Sequence, residues 1–262
     1  MFHSVRVAFI PLIKVKMKKA IIILIGTLAG GLSFAQNLST EEIVSNYLKA
    51  KGQDKFMNME TVKMTGKVTQ QGLEILVTEY SKKPDKVKAE MEVQGMKVIM
   101  SMEGDTGWII NPMMGVTDAQ DLNADAIIAL KKETNNDPTT DWDMPFINYK
   151  EKGIIIESGR TEDVNGIPAY NLKFTFKEGY FFNYIIDTKS FLLLESRTTE
   201  NIQGQTYDRE VRFSDYRDFN GILVPGKYEM LVNGQIGQIF TLDNCEFNIP
   251  IDDSIFKKPV KE

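Results

Sequence analysis

Histidine and cysteine are nearly missing from this chain, at one each in 262 residues. The histidine is His3, inside a leading segment expected to be removed, so the mature chain lacks the commonest general base and transition-metal ligand. Ser-His-Asp and Cys-His mechanisms are thereby excluded, and so is a histidine-based zinc site. No metal and no cofactor is expected. Cys245 alone cannot form an intramolecular disulfide; it stands in a strand-like run, Gly237 to Asn248, and reads as a small buried residue. Positive charge is also short, with 31 Lys and Arg against 36 Asp and Glu. Residues 1–35 hold five of the basic residues and no acid, leaving 26 minus 36, or −10, for the rest. An acidic chain without a basic cluster is not built for nucleic acid or for anionic membrane surfaces. No linker, internal repeat or low-complexity tract divides the sequence.

Long apolar runs are absent as well. Ala20 to Leu32 is apolar but falls short of the about 20 residues that cross a bilayer. It follows a basic Met17-Lys18-Lys19 and ends in Ser33-Phe34-Ala35, a small-x-small pattern. This predicts a signal peptide starting at Met17, with residues 1–16 an upstream extension and cleavage before Gln36. Residues 36–262, which number 262 minus 35 or 227, are expected to form a single domain in the periplasm. No cysteine follows the cleavage site to carry a lipid, and a monomer is expected.

What is present is mostly strand. Ser39 and Glu42 form a capping box before an apolar stripe of Ile43, Val44, Tyr47 and Leu48, and Gly52 ends that helix. Period-2 alternation then takes over through Val62, Met64 and Val68, through Leu73, Ile75 and Val77, and through Val87, Ala89, Met91 and Val93. Met96, Val98, Met100 and Met102 complete the set. Asn111 to Lys152 breaks the pattern with a short helix over Asp121 to Glu133, capped by Asn123, and a polar loop from Thr134 to Pro145. Strands resume, punctuated by Asn165-Gly166, Asn220-Gly221 and Asn233-Gly234 hairpin signals and by turns at Thr188-Lys189 and Asn201 to Gly204. Asp252 to Phe256 suits one short helical turn. Ten or eleven strands with few helices predict an α+β fold. A long antiparallel sheet must curl to hide its apolar face, giving an incompletely closed β-barrel with helices covering its mouth.

Two features point beyond packing. Tyr180 to Ile186 and Phe191 to Leu194 are apolar on both faces, which suits either a sheet covered on both sides or one whose inner face lines a ligand cavity. Met91, Met96, Met100 and Met102 lie on neighbouring strand segments, with Met113 and Met114 in the following loop. Unbranched thioethers serve equally as core filler and as an adaptable apolar binding surface. Acid pairs such as Asp141 with Asp143 and Asp252 with Asp253 satisfy the residue count of a glycosidase. Loop acids beside an aromatic are turn formers, and no base or nucleophile motif accompanies them, so an enzyme is not expected.

The segment from Ser81 to Gly115, with its basic-Pro start, alternating strand, Gly104-Asp105-Thr106-Gly107-Trp108 and Asn111-Pro112, resembles the LolA-like family of periplasmic outer-membrane lipoprotein-sorting carriers. Weaker echoes are Asp163 to Gly166, Phe213 to Tyr216 with Asn220-Gly221 and Val224-Pro225, and Phe247 to Pro250 with Asp252, Asp253 and Phe256. The resemblance implies an open barrel lidded by helices, holding the acyl chains of a lipoprotein or another lipid in an apolar cavity without bond chemistry. It also implies an inner-membrane release complex and an outer-membrane acceptor as partners. Cavity candidates from the apolar strands are Met91, Met100, Met102, Phe182 and Tyr184, and the resemblance adds Trp108 as a cavity wall and Ile127, Ile128, Leu130 and Trp142 at the place of the lid. Lys83 stands where the family has an arginine that closes the lid on helical backbone; lacking the planar fork, it would hold less tightly. The alternative is an envelope-sensing or partner-binding module of the same fold, without lipid transfer.

Overall fold

The computed structural model describes residues 38–135, 145–202 and 204–260, so the expected leader and Trp142 lie outside the described residues. Helix α1 (Thr40–Lys51) starts at the expected capping box, with Ser39 and Glu42 each bonding the other's backbone, and stops at Gly52 in a left-handed conformation. A side chain at Gly52 would collide with the Gly221 carbonyl at 2.1 Å, so only glycine lets this helix end against the neighbouring hairpin. A one-turn α2 (Gln53–Phe56) follows and leads into the sheet.

The strands are β1 (Thr61–Gln70), β2 (Leu73–Lys82), β3 (Lys86–Val93), β4 (Met96–Glu103), β5 (Thr106–Asn111), β6 (Val116–Asp121), β7 (Ile155–Ser158) and β8 (Glu162–Val164). After them come β9 (Ile167–Thr175), β10 (Phe181–Asp187), β11 (Leu193–Ile202), β12 (Gln205–Ser214), β13 (Arg217–Phe219), β14 (Ile222–Val224), β15 (Lys227–Val232) and β16 (Gln235–Phe247). Helix α3 (Ala124–Asn135) sits between β6 and β7, capped by Asn123 Oδ1, which accepts from the Ala126 amide at 2.8 Å. Single 3-10 turns occupy Pro112–Met114 and Asp253–Phe256.

Fourteen of the strands form one antiparallel sheet in the order β6-β5-β4-β3-β2-β1-β16-β15-β12-β11-β10-β9-β7, with β8 beside β9 and a separate β13–β14 hairpin. The sheet is curled and unclosed, as the sequence led us to expect. The strand count exceeds the expected ten or eleven. β8, β13 and β14 have three residues each, too few to display a period, and β6 reads VTDAQD, which has no apolar face. The Asn-Gly pairs at 165–166, 220–221 and 233–234 all have positive φ and turn the chain between consecutive strands, as two-residue hairpin loops require.

The core lies on one face of the sheet, hereafter the inner face. Ile43, Val44, Tyr47 and Leu48 of α1 pack there with Val62, Met64, Leu172, Phe174, Tyr184, Leu193, Phe213, Leu242 and Cys245. Phe146, from the segment before β7, is the keystone, with ring centroids 4.3 Å from Tyr47, 4.7 Å from Phe174 and 5.0 Å from Tyr184. The two-faced apolar run in β10 has a structural explanation: Tyr184 and Ile186 face this core, while Ile185 packs on the other side with Val164, Ala169 and Leu194.

Candidate functional site

Strand register divides the inner face into two halves with different cover. Over β9 to β12 it is filled by α1 and Phe146. Even the crevice between Phe56, Val62, Met64, Ile222, Val224, Cys245 and Phe247 has room for no more than about one water molecule. Over β2 to β5 the pattern changes. Cross-strand partners share a face, so the rows Val68–Ile75, Val77–Met91–Val98 and Ala89–Met100–Ile109 all extend the face that carries Met64. Met96, Val98, Met100 and Met102 alternate along β4 and therefore stand on it together. Ile75, Val77, Ala89, Met91, Met100 and Ile109 are only half-buried and belong to no core cluster. This half-buried apolar surface, which no core cluster of the described residues includes, is the candidate site.

Its boundary toward the core carries several polar groups. Glu79 and Ser81 of β2 lie opposite Met64 and Val62. Lys51, in the last turn of α1, is fully buried. Burial pushes the Cys245 thiol up to about 12; Lys51 pulls it down, and Glu79 and Glu246 push it further up. The cysteine is therefore held neutral and unreactive at physiological pH, a packing residue as the sequence indicated.

Trp108 does not line this surface. It pairs with Ser101, whose face is opposite that of Met100 and Met102. The indole Nε1 donates to the Phe256 carbonyl at 2.8 Å, and Ser101 Oγ donates to the same oxygen at 3.0 Å. These bonds belong to a C-terminal strap that crosses the outer face of β1 to β6. Thr61 Oγ1 donates to the Ile249 carbonyl, Lys82 Nζ to that of Ile251, and Lys258 pairs with Asp121. Asp253 is clamped by Lys82 at 2.6 Å and Lys86 at 2.9 Å, which together hold its carboxyl down at about 2.

The other expected site residues scatter. Tyr184 is fully buried between Phe146 and Phe174, in the filled half, and Phe182 is half-buried beside it at 6.0 Å between centroids. Met102 is buried where the chain entering α3 meets the sheet. There the Leu122 amide donates to the Gly107 carbonyl, and a side chain at Gly107 would approach Leu122 to 2.9 Å. In α3, Ile127 is buried and Leu130 half-buried, but Ile128 is 65% exposed and does not share their packing face. Lys131 pairs with Asp105 at the β4–β5 turn. Lys83 Nζ donates to the Met57 carbonyl at 3.2 Å and pairs with Glu60 at 3.6 Å. It thus fastens the end of α2, with a helix-terminal carbonyl as acceptor, and makes no described contact with α3. Sequence reasoning passed over Ile75, Val77 and Ile109 as members of the site. Their alternation was visible, but only register joins them to Met91 and Met100.

A curled, unclosed antiparallel sheet with helices on its inner face defines the class: this chain has a LolA-like fold. No family model matches the sequence, and no curated protein matches it. Among solved structures the chain is similar to a DUF1329 family protein from Desulfovibrio piger, at 15% identity and a TM-score of 0.56 over 82% of this chain and 97% of that one. It is similar to a LolA superfamily protein from Nitrosomonas europaea at 12% identity and a TM-score of 0.54, covering 84% of this chain and 98% of that one. An outer membrane lipoprotein-sorting protein domain from Vibrio parahaemolyticus follows at 11% identity and a TM-score of 0.54, over 83% and 96%. At such identities the likeness is one of fold.

Proposed function

We propose that this protein is a non-enzymatic periplasmic carrier that shelters the acyl chains of a lipoprotein, or of a related lipid, on the inner face of β2 to β5. The observation that carries the reading is the contrast between the two halves of one face. α1 and Phe146 fill one half, while Met91, Met100, Ile75, Val77 and Ile109 in the other are half-buried and join no core cluster among the described residues. Methionine at this density suits chains of variable shape. Burial offers about 0.8 kcal/mol per methylene, so roughly 15 methylenes gross about 12 kcal/mol. Much of that must be offset by displaced contacts of the free protein, or release to an acceptor would be too slow. Helix α3, entering over Met102 through Leu122 and docked by Ile127, is the element placed to move in this exchange. The lipoprotein-sorting domain from Vibrio parahaemolyticus, similar in fold, is consistent with such a role. Native mass spectrometry of the chain purified from an envelope fraction tests the proposal. A retained acylated species, lost when Met91 and Met100 are both replaced by Asp, is expected; retention unaffected by these changes would overturn the site.

A further inference from the structure

We propose that the chain sheltered on this face is joined to the rest of its ligand through an amide, and that Asn111 accepts the amide N–H. The inference rests on the carrier reading and names the linkage it selects.

Asn111 closes β5 two residues after Ile109 and so stands on the same face of the strand, next to Ile110, which pairs with Ile99. Its Oδ1 is buried and has no hydrogen-bond partner among the described residues. The local structure gives Asn111 an obvious use that it does not take. It is the N-cap residue of the 3-10 turn Pro112–Met114, where an asparagine oxygen normally accepts a backbone amide, yet it makes no side-chain cap bond. The neighbouring ladder is also disturbed. Ile109 pairs with Gln120 and Asn111 with Val116, so Thr117 to Ala119 of β6 pass opposite the single residue Ile110. Such bulges re-aim side chains beside binding sites.

A buried amide carbonyl left without a donor is costly, and a few such polar groups in an apolar site are what fix a ligand's orientation. A ligand can supply that donor if its body is apolar and its first polar group beyond the chain carries a hydrogen. An ester has no hydrogen to give, and an ionised fatty acid has none either. A secondary amide places its N–H directly next to the acyl carbonyl, where it can meet Asn111 Oδ1 once the contacts that bury this oxygen give way to the ligand. A site with an acceptor waiting for that hydrogen discriminates against analogues that lack it.

Displacement of anilinonaphthalene sulfonate from the mature chain, by an N-alkyl dodecanamide and by the alkyl dodecanoate of equal length, tests this. The amide is expected to displace the dye at about tenfold lower concentration, the worth of one neutral hydrogen bond with its buried partner. Asn111→Leu, similar in shape but without an acceptor, is expected to erase the difference while still binding the ester. Equal displacement by both compounds in the wild-type protein would overturn the inference and leave the carrier reading standing. A preference that survives Asn111→Leu would overturn the assignment to Asn111. Displacement by neither compound would remove the carrier reading and the inference with it. The wild-type comparison decides the matter even if the leucine variant does not fold.

Discussion

Met91 and Tyr184 are both apolar strand residues on the inner face, and they differ in what covers them. Tyr184 is enclosed by Phe146 and Phe174, whereas Met91 is half-buried beside Val77 and Val98. Alternation in the sequence assigns each to a face but cannot say which stretch of that face receives a helix. That depends on contacts between Tyr47, Phe146 and Phe174, residues more than a hundred positions apart at the extremes. The same limit misplaced Trp108. Its motif was legible, but its face follows from pairing with Ser101 and from the strap that returns at Phe256. Met91→Asp with Met100→Asp is therefore expected to lower affinity for a fluorescent fatty-acyl probe by at least about tenfold, or 1.4 kcal/mol. Trp108→Phe is expected to leave that affinity unchanged and to cost about 1 kcal/mol of stability through the lost bond to Phe256. Probe titration and urea unfolding check the two halves of this statement.

Among the elements, α1 and α3 were the easiest to read and α3 the hardest to orient. Ser39 and Asn123 announce both starts, and both act as caps. Ile127 and Ile128 are adjacent, however, and on a helix adjacent residues point about 100° apart. The structure buries the first and exposes the second, so they cannot both dock α3. Ile127→Asp is expected to release the helix, raising amide hydrogen exchange over α3, while Ile128→Asp leaves exchange unchanged. Equal effects from the two would show that α3 packs in another orientation. The shortest strands, β8, β13 and β14, together with β6, are held by pairing and by turns rather than by an apolar period of their own; the hairpin signals at Asn165-Gly166 and Asn220-Gly221 marked the turns of the first three.

In the molecule as a whole, the two halves of the sheet are supported differently. One has a core of aromatic and aliphatic side chains; the other is braced from outside by the strap from Ile249 to Lys258. That brace holds the strands in place from outside, on the face opposite the half-buried apolar surface of β2 to β5. Asp253 makes the brace sensitive to acid. Its carboxyl, held by Lys82 and then Lys86, is down at about 2, below the ordinary value near 3.9. A lowered carboxylate contributes stability that is complete above the unfolded value and disappears as pH falls through the folded one. Loosening of the strap, followed by Trp108 emission, is thus expected between about pH 4 and pH 2. Asp253→Asn should show the loosened emission already at neutral pH and no transition in that window; a wild-type transition that survives in this variant would assign the effect to another group.

The curled sheet and its helices were legible from alternation, turns and caps. The apolar half outside the core was not, because it is a property of register and of where α1 and Phe146 pack. Native mass spectrometry with lipid extraction, applied to residues 36–262 purified from an envelope fraction, tests that feature most directly. The expected result is an acylated molecule bound to the wild-type chain and missing from the Met91→Asp, Met100→Asp variant. A chain that arrives empty, and that also fails to bind offered acylated peptides, would contradict the carrier account while leaving the fold intact.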